Sequence, residues 1–181
     1  MNKPNLHKDV IEGIIKKYEV DREAYPVVMV GIRGYELGAK KNKRGVYDDA
    51  LFICSPTSFL AVNGNTDPSR YRKGRGKGSQ KGMASLNLGM WWYKTGIHNG
   101  SNPHPAFRQA GEVIVTRDGI DGNYEDRGMF GINIHRGGNN GTSSLGCQTV
   151  IPAQWDLFKA TGYAELSRYK QKLFPYILDE V

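Results

Sequence analysis

The stretch Ile132-Asn133-Ile134-His135 is followed, across the run Arg136-Gly137-Gly138-Asn139-Asn140-Gly141, by Ser143-Ser144-Leu145-Gly146-Cys147-Gln148. One short segment therefore offers a thiol nucleophile and an imidazole base. A free thiol titrates near about 8.5 and is mostly protonated at neutral pH, so it needs a neighbour to take its proton and later return it to a leaving group. His135 can be that neighbour. Gly146 allows a backbone conformation that a side chain forbids, and it leaves room for a carbonyl to approach the sulfur. The plainer alternative is an inert buried cysteine beside a satisfied strand-end histidine, and the Gly, Ser and spacing context outweighs it.

The elements around the pair must bring it together. Residues 128–135 read as a strand of period two, with Met129, Gly131, Asn133 and His135 on one face and Phe130, Ile132 and Ile134 on the other. His135 then ends the strand pointing away from the apolar side. The Gly-rich loop folds the chain back so that Cys147 returns toward it. A helix expected over 152–159 starts soon after the cysteine, which makes the amides at its start candidates for stabilising a thiolate or an oxyanion.

With an apolar strand ending at Ile134-His135 and the motif Ser144-Leu145-Gly146-Cys147, the segment 111–160 resembles the catalytic segment of the L,D-transpeptidase (YkuD-like) family. That resemblance implies Cys147 as nucleophile, His135 as its base, and an oxyanion site built from amides around Gly146 and Cys147. Arg136 stands where the family usually has Gly, and Gln148-Thr149 replaces its usual apolar residue and arginine. The family arginine shapes the acyl pocket. Arg117, at the end of a strand in Val115-Thr116-Arg117-Asp118-Gly119, is the candidate replacement here.

The 181 residues fit one domain, 1–181, and the 23 glycines and ten tyrosines favour a loop-rich, mainly β chain over a helical bundle. Leu6, Val10, Ile11, Ile14, Ile15 and Tyr18 recur at helical spacing, so 1–20 is expected to hold an amphipathic helix packed on the sheet. Strands are expected at 27–32, 51–54, 59–63, 90–94, 112–117 and 128–135, and closing helices at 152–159 and 165–178, the second broken at Phe174-Pro175. The fold class is mainly β with flanking helices. It reads as a small barrel or sandwich, which the resemblance makes YkuD-like.

Further candidates lie between the strands. Thr66 and Asp67, in a turn-forming run, can bind amide or ammonium groups of a peptide or simply close an Asx-type turn. Trp91 and Trp92 point to opposite faces of one strand, and Trp91 is taken as a cleft residue. Ser144, Gln148 and Asn133 complete the substrate-binding set. Gln148 is expected to hydrogen-bond Asn139, Asn140 or Asn133. His98 and His104 can border the site, but idle surface histidines are the simpler reading. Cys54, in the apolar run 51–54, reads as a small buried thiol rather than half of a disulfide.

The charge of +7 favours anionic partners, and its densest source is Arg70, Arg72, Lys73, Arg75, Lys77 and Lys81, read as a solvated Gly-rich loop. A nucleic-acid-binding module is the alternative this supports, although only Tyr71 offers a stacking ring there. His98, His104, His135 and Cys147 are potential zinc ligands, but no His-Glu-x-x-His or paired Cys-x-x-Cys is present, so neither metal nor cofactor is expected. No apolar run approaches the roughly 18 residues of a membrane span. The start Met1-Asn2-Lys3-Pro4-Asn5 lacks the apolar core of a secretory signal, so cytoplasmic synthesis with delivery to the periplasm or wall by another system is expected. By the resemblance, the partners are peptidoglycan stem peptides. The reaction is acyl transfer or hydrolysis through a thioester, with an inactive wall-binding member of the fold as a further alternative.

Overall fold

Both faces of the central strands are buried, which is why so much of the chain between the loops is apolar. In the computed structural model, which describes residues 3–75, 80–100 and 102–180, helix α1 (Lys8–Lys17) carries Asp9 in its first turn and Lys16 and Lys17 in its last, each matched to the helix dipole. It lays Ile11 and Ile15 over Val28, Val30 and Ile32 of strand β1 (Val28–Arg33). The alternate residue Met29 faces the second cluster, which also holds Tyr93, Phe107, Tyr176, Trp155 and Phe158.

The chain continues through β2 (Asp49–Cys54), β3 (Phe59–Asn65), β4 (Ala84–Leu86), β5 (Gly89–His98), β6 (His104–Gln109), β7 (Val113–Arg117), β8 (Tyr124–Gly128), β9 (Ile134–Arg136), β10 (Gln148–Val150), helix α2 (Pro152–Arg168) and β11 (Phe174–Glu180). Eight strands close into a barrel in the order β1-β11-β5-β6-β9-β10-β3-β2, and β4, β7 and β8 form a separate sheet. Within the barrel, β1 with β11 and β9 with β10 are parallel and the other pairs are antiparallel. Gly162 of α2 permits a close approach to the sheet, since a Cβ there would lie 2.5 Å from the Phe107 ring. Among the described residues, no helix is long and apolar enough to cross a membrane. Met1 and Asn2 at the chain start, and Gly76, Lys77 and Gly78 of the basic segment, lie outside the described residues.

The mainly β architecture, the amphipathic first helix and a helix after the cysteine agree with the sequence. Two elements differ. Residues 165–178 are not a second helix: α2 runs on to Arg168, and Phe174, Tyr176 and Leu178 alternate with Ile177 between the two apolar clusters as strand β11. Nor is 128–135 one strand. β8 ends at Gly128 in the small sheet, β9 starts at Ile134 in the barrel, and Gly131 between them takes φ +72°. The buried Gln109 side chain replaces a ladder there. Its Oε1 accepts from the amides of Phe130 and Ile132 at 3.1 and 3.0 Å, and its Nε2 donates to the carbonyls of Gly111 and Gly128, both at 2.9 Å.

Candidate active site

Four neighbouring barrel strands converge on Cys147. His98 ends β5 and pairs across the hairpin with His104, which starts β6. Ile134 of β9 pairs with Phe107 of β6 and with Gln148 of β10, so His135 stands beside the hairpin and Cys147 sits one residue before β10. Ligand atoms of His98, His135 and Cys147 all fall within 4.8 Å of one another. The Gly-rich loop between β9 and β10 is pinned by Tyr47, whose hydroxyl donates to the Gly138 carbonyl at 2.8 Å. Together with Asn133, Phe130, Leu145 and Gly146, these three residues line a pocket of about 490 Å³.

The turn before the cysteine is built by Ser144 and Gly146. Gly146 has φ +149°, and a Cβ there would lie 2.5 Å from the Ala84 carbonyl oxygen, so glycine is required for both conformation and space. The Ser144 hydroxyl donates to the Cys147 carbonyl at 2.7 Å and accepts from the Gly146 amide at 2.9 Å. Ser144 therefore shapes the turn before Cys147 from a buried position and does not line the pocket. The Gly146 amide is taken by this bond and is not an oxyanion donor. The Cys147 amide is engaged by no side chain or loop carbonyl among the described residues. Strand β10 separates the cysteine from α2, so the helix start does not reach the thiol.

The histidines have defined roles in the hydrogen-bond network. His135 Nδ1 lies 2.7 Å from the Arg136 carbonyl, which can only accept, so Nδ1 carries the proton and Nε2 keeps its lone pair. Asn133 is oriented by the Gln109 amide, which donates to its Oδ1 at 3.0 Å, and its Nδ2 donates to His98 Nδ1 at 3.0 Å. Burial, helped by the neighbouring His98, holds His135 down to about 4. Burial likewise pushes Cys147 up to about 11, against a weaker lowering by the Asn133 amide that donates to the sulfur at 3.4 Å. The thiol itself donates to the Gly131 carbonyl at 3.3 Å. Both shifts, with the thiol's bond to the Gly131 carbonyl, favour a neutral thiol beside a neutral imidazole over an ion pair.

Cys147, His135, Gly146 and Asn133 come together as the sequence implies, but the other candidates are distributed differently. Gln148 is buried beneath the site: its amide donates to the carbonyls of Thr66 and Gly146, both at 3.3 Å, and accepts from the Tyr176 hydroxyl at 3.0 Å. None of the expected asparagines is its partner. Thr66 and Asp67 are buried in the same support. Thr66 donates to Asp49 at 2.8 Å and Asp67 pairs with Arg33, while Ser69 after them accepts from the Ser144 amide at 2.6 Å. Trp91 lies seven residues from His98 along β5, roughly 23 Å at about 3.3 Å per residue, and its indole donates to the Asn87 carbonyl instead of facing the pocket.

Arg117 is paired with Asp126 at 2.6 Å and lines a second pocket of about 450 Å³ with Arg72 and Lys81. This pocket shares Phe130, Ile132 and Leu145 with the cysteine pocket, so a cationic pocket adjoins the thiol pocket across these side chains. The described part of the basic segment is tied down by the Gly74 amide on the Asp118 carbonyl and by Lys81 on Asp126. Arg70, Arg72, Lys73 and Arg75 are exposed, as a solvated segment requires, so these ties anchor its backbone and its Lys81 end and leave the other described cations in solvent. His98, set aside as an idle surface residue, stacks on His135, and Gln109 carries the whole 128–132 segment. Neither had a local motif to mark it. Cys54 is buried under α1, 3.2 Å from Glu12, and both cysteines are free thiols.

No protein-family model matches the chain, and neither the curated proteins nor the solved structures contain a match.

Proposed function

We propose that the chain is a cysteine acyl-transfer enzyme with an L,D-transpeptidase-like (YkuD-like) centre that acts on peptidoglycan stem peptides. The observation carrying this reading is the approach of Cys147 to His135 in a pocket, with the imidazole tautomer fixed by the Arg136 carbonyl so that Nε2 is free to accept a proton. The thiol turns from the Gly131 carbonyl toward His135, gives up its proton there, and attacks the carbonyl on the L-configured side of a diamino acid. The tetrahedral oxygen is held by the free Cys147 amide. His135 returns the proton to the departing amine of the terminal D-amino acid, leaving a thioester on Cys147. Water then yields the shortened peptide, or a second amine yields a crosslink, each with regeneration of the thiol.

The adjoining cationic pocket supports this substrate class. Arg117, Arg72 and Lys81 line it, and Arg117 and Lys81 share the single Asp126 carboxylate, so it is net cationic and suits an anionic peptide. Phe130 separates the cations from the thiol, with the Arg117 guanidinium 4.8 Å from its ring centroid. The test is mass spectrometry of purified muropeptides after incubation with the protein. Loss of a terminal D-amino acid, or its exchange for an added amine, supports the reading. Unchanged masses under conditions where the fold is intact contradict it.

A further inference from the structure

The thiol pocket gathers more nitrogen ligands than an acyl-transfer site uses. Around a tetrahedral Zn2+, with Zn–S about 2.3 Å and Zn–N about 2.0–2.1 Å, neighbouring ligand atoms stand roughly 3.3–3.7 Å apart. Those of His98, His135 and Cys147 lie within 4.8 Å of one another, on side chains that line an open pocket, so a contraction of about 1 Å closes the site. Thiolate with imidazole is a donor set that suits Zn2+.

The histidine hydrogen bonds point the same way. A metal-bound imidazole commonly donates its other N–H to a carbonyl, which fixes the tautomer that faces the metal. His135 does this to the Arg136 carbonyl, and His104 does it to the Asn102 carbonyl, both at 2.7 Å. His104 Nε2 is then a buried lone pair with no hydrogen-bond partner among the described residues. Its ring lies 5.2 Å from that of His98 and 5.5 Å from that of His135. His98 is held differently, since its Nδ1 accepts from Asn133, and a metal taking that nitrogen displaces one amide hydrogen bond.

We propose that His98, His135 and Cys147 form an open, three-ligand Zn2+ site, with His104 as the nearest further nitrogen, and that the metal reversibly masks the Cys147 nucleophile. The masking role rests on the acyl-transfer reading, whereas the binding does not. On binding, the thiol proton passes to solvent, an S–Zn bond replaces the S–H bond, and the ion sheds water, with no change of oxidation state. The sulfur lone pair and the His135 nitrogen are then both committed to the metal.

The test uses the full chain stripped with EDTA and dialysed, then titrated with zinc chloride by calorimetry, with iodoacetamide labelling of Cys147 followed by mass spectrometry. One equivalent should bind, labelling should slow at least tenfold at saturation, and EDTA should restore it. His98→Ala and Cys147→Ala should each weaken binding at least tenfold, with folding checked by circular dichroism. Co2+ in place of Zn2+ should give a thiolate charge-transfer band that Cys147→Ala lacks. Absence of stoichiometric binding, or equal binding by Cys147→Ala, overturns the site; if the metal-free protein still turns over peptide, the acyl-transfer reading survives that failure. A metal-free protein that is inactive and gains turnover with zinc overturns the masking role.

Discussion

The rings of His98 and His135 stack with centroids 4.3 Å apart and planes inclined by 26°. Neither can be protonated without placing charge against its neighbour in a buried setting. His135 is held down to about 4, against an ordinary value near 6.5. Between those values the unfolded chain binds a proton that the folded chain refuses, so stability falls as the pH is lowered through this window. At about 1.4 kcal/mol per unit the loss is on the order of 3 kcal/mol. His98, lowered by burial and by His104 and Arg108, adds in the same direction. Urea unfolding at pH 7 and pH 5 should show a smaller loss for His135→Asn than for the parent, and equal losses would contradict this origin.

The neutral resting pair sets the reactivity of the thiol. With Cys147 pushed up to about 11, the thiolate fraction in EDTA-containing buffer should grow about tenfold per pH unit, and iodoacetamide labelling with it, from pH 7 to pH 9. Cys54 is fully buried and pushed up to about 12, so it should stay unlabelled in the folded protein. A labelling rate that plateaus near neutral pH would reveal a thiolate–imidazolium pair instead.

Local chemistry makes the candidate nucleophile legible and long-range pairing hides its surroundings. Cys147, His135 and Gly146 sit within one segment, and Gly146 is demanded by its own backbone angle. His98 joins them only because β5 and β6 form a hairpin beside β9, a pairing with no signature in the residues around it. The alternation over 128–135 was real as a pattern but misleading as a strand, because Gln109, from another strand, supplies the hydrogen bonds. Gln148 is likewise remote in sequence from its partners, 82 positions from Thr66 and 28 from Tyr176, so no residue near it in the chain points to them. Strands β4, β9 and β10 have three residues each, too short for periodicity to declare them.

Gln148→Leu should destabilise the protein. It removes the acceptor of the Tyr176 hydroxyl and the donor to two carbonyls, in a fully buried position, at a cost of roughly 1–3 kcal/mol. Thermal melts measure this directly. A variant more stable than the parent would show that the amide is merely tolerated.

Gln109→Leu should act at a distance on the chemistry. The amides of Phe130 and Ile132 lose their acceptor, about 1–3 kcal/mol each, and the segment bearing Gly131 and Asn133 loses its anchor beside the thiol. Turnover should fall more steeply than the melting temperature suggests, and hydrogen exchange at Phe130 and Ile132 should accelerate. Unchanged exchange there would remove Gln109 from this role.

The central claim is that Cys147 carries the acyl group, and intact-protein mass spectrometry after brief incubation with a stem tetrapeptide tests it most directly. The expected result is an added mass equal to that of the peptide minus the free terminal D-amino acid, which carries away the thiol proton, mapped to Cys147, discharged by hydroxylamine and absent from Cys147→Ala. Turnover of the peptide by Cys147→Ala, or a parent protein that stays unmodified and leaves the peptide intact, would contradict it.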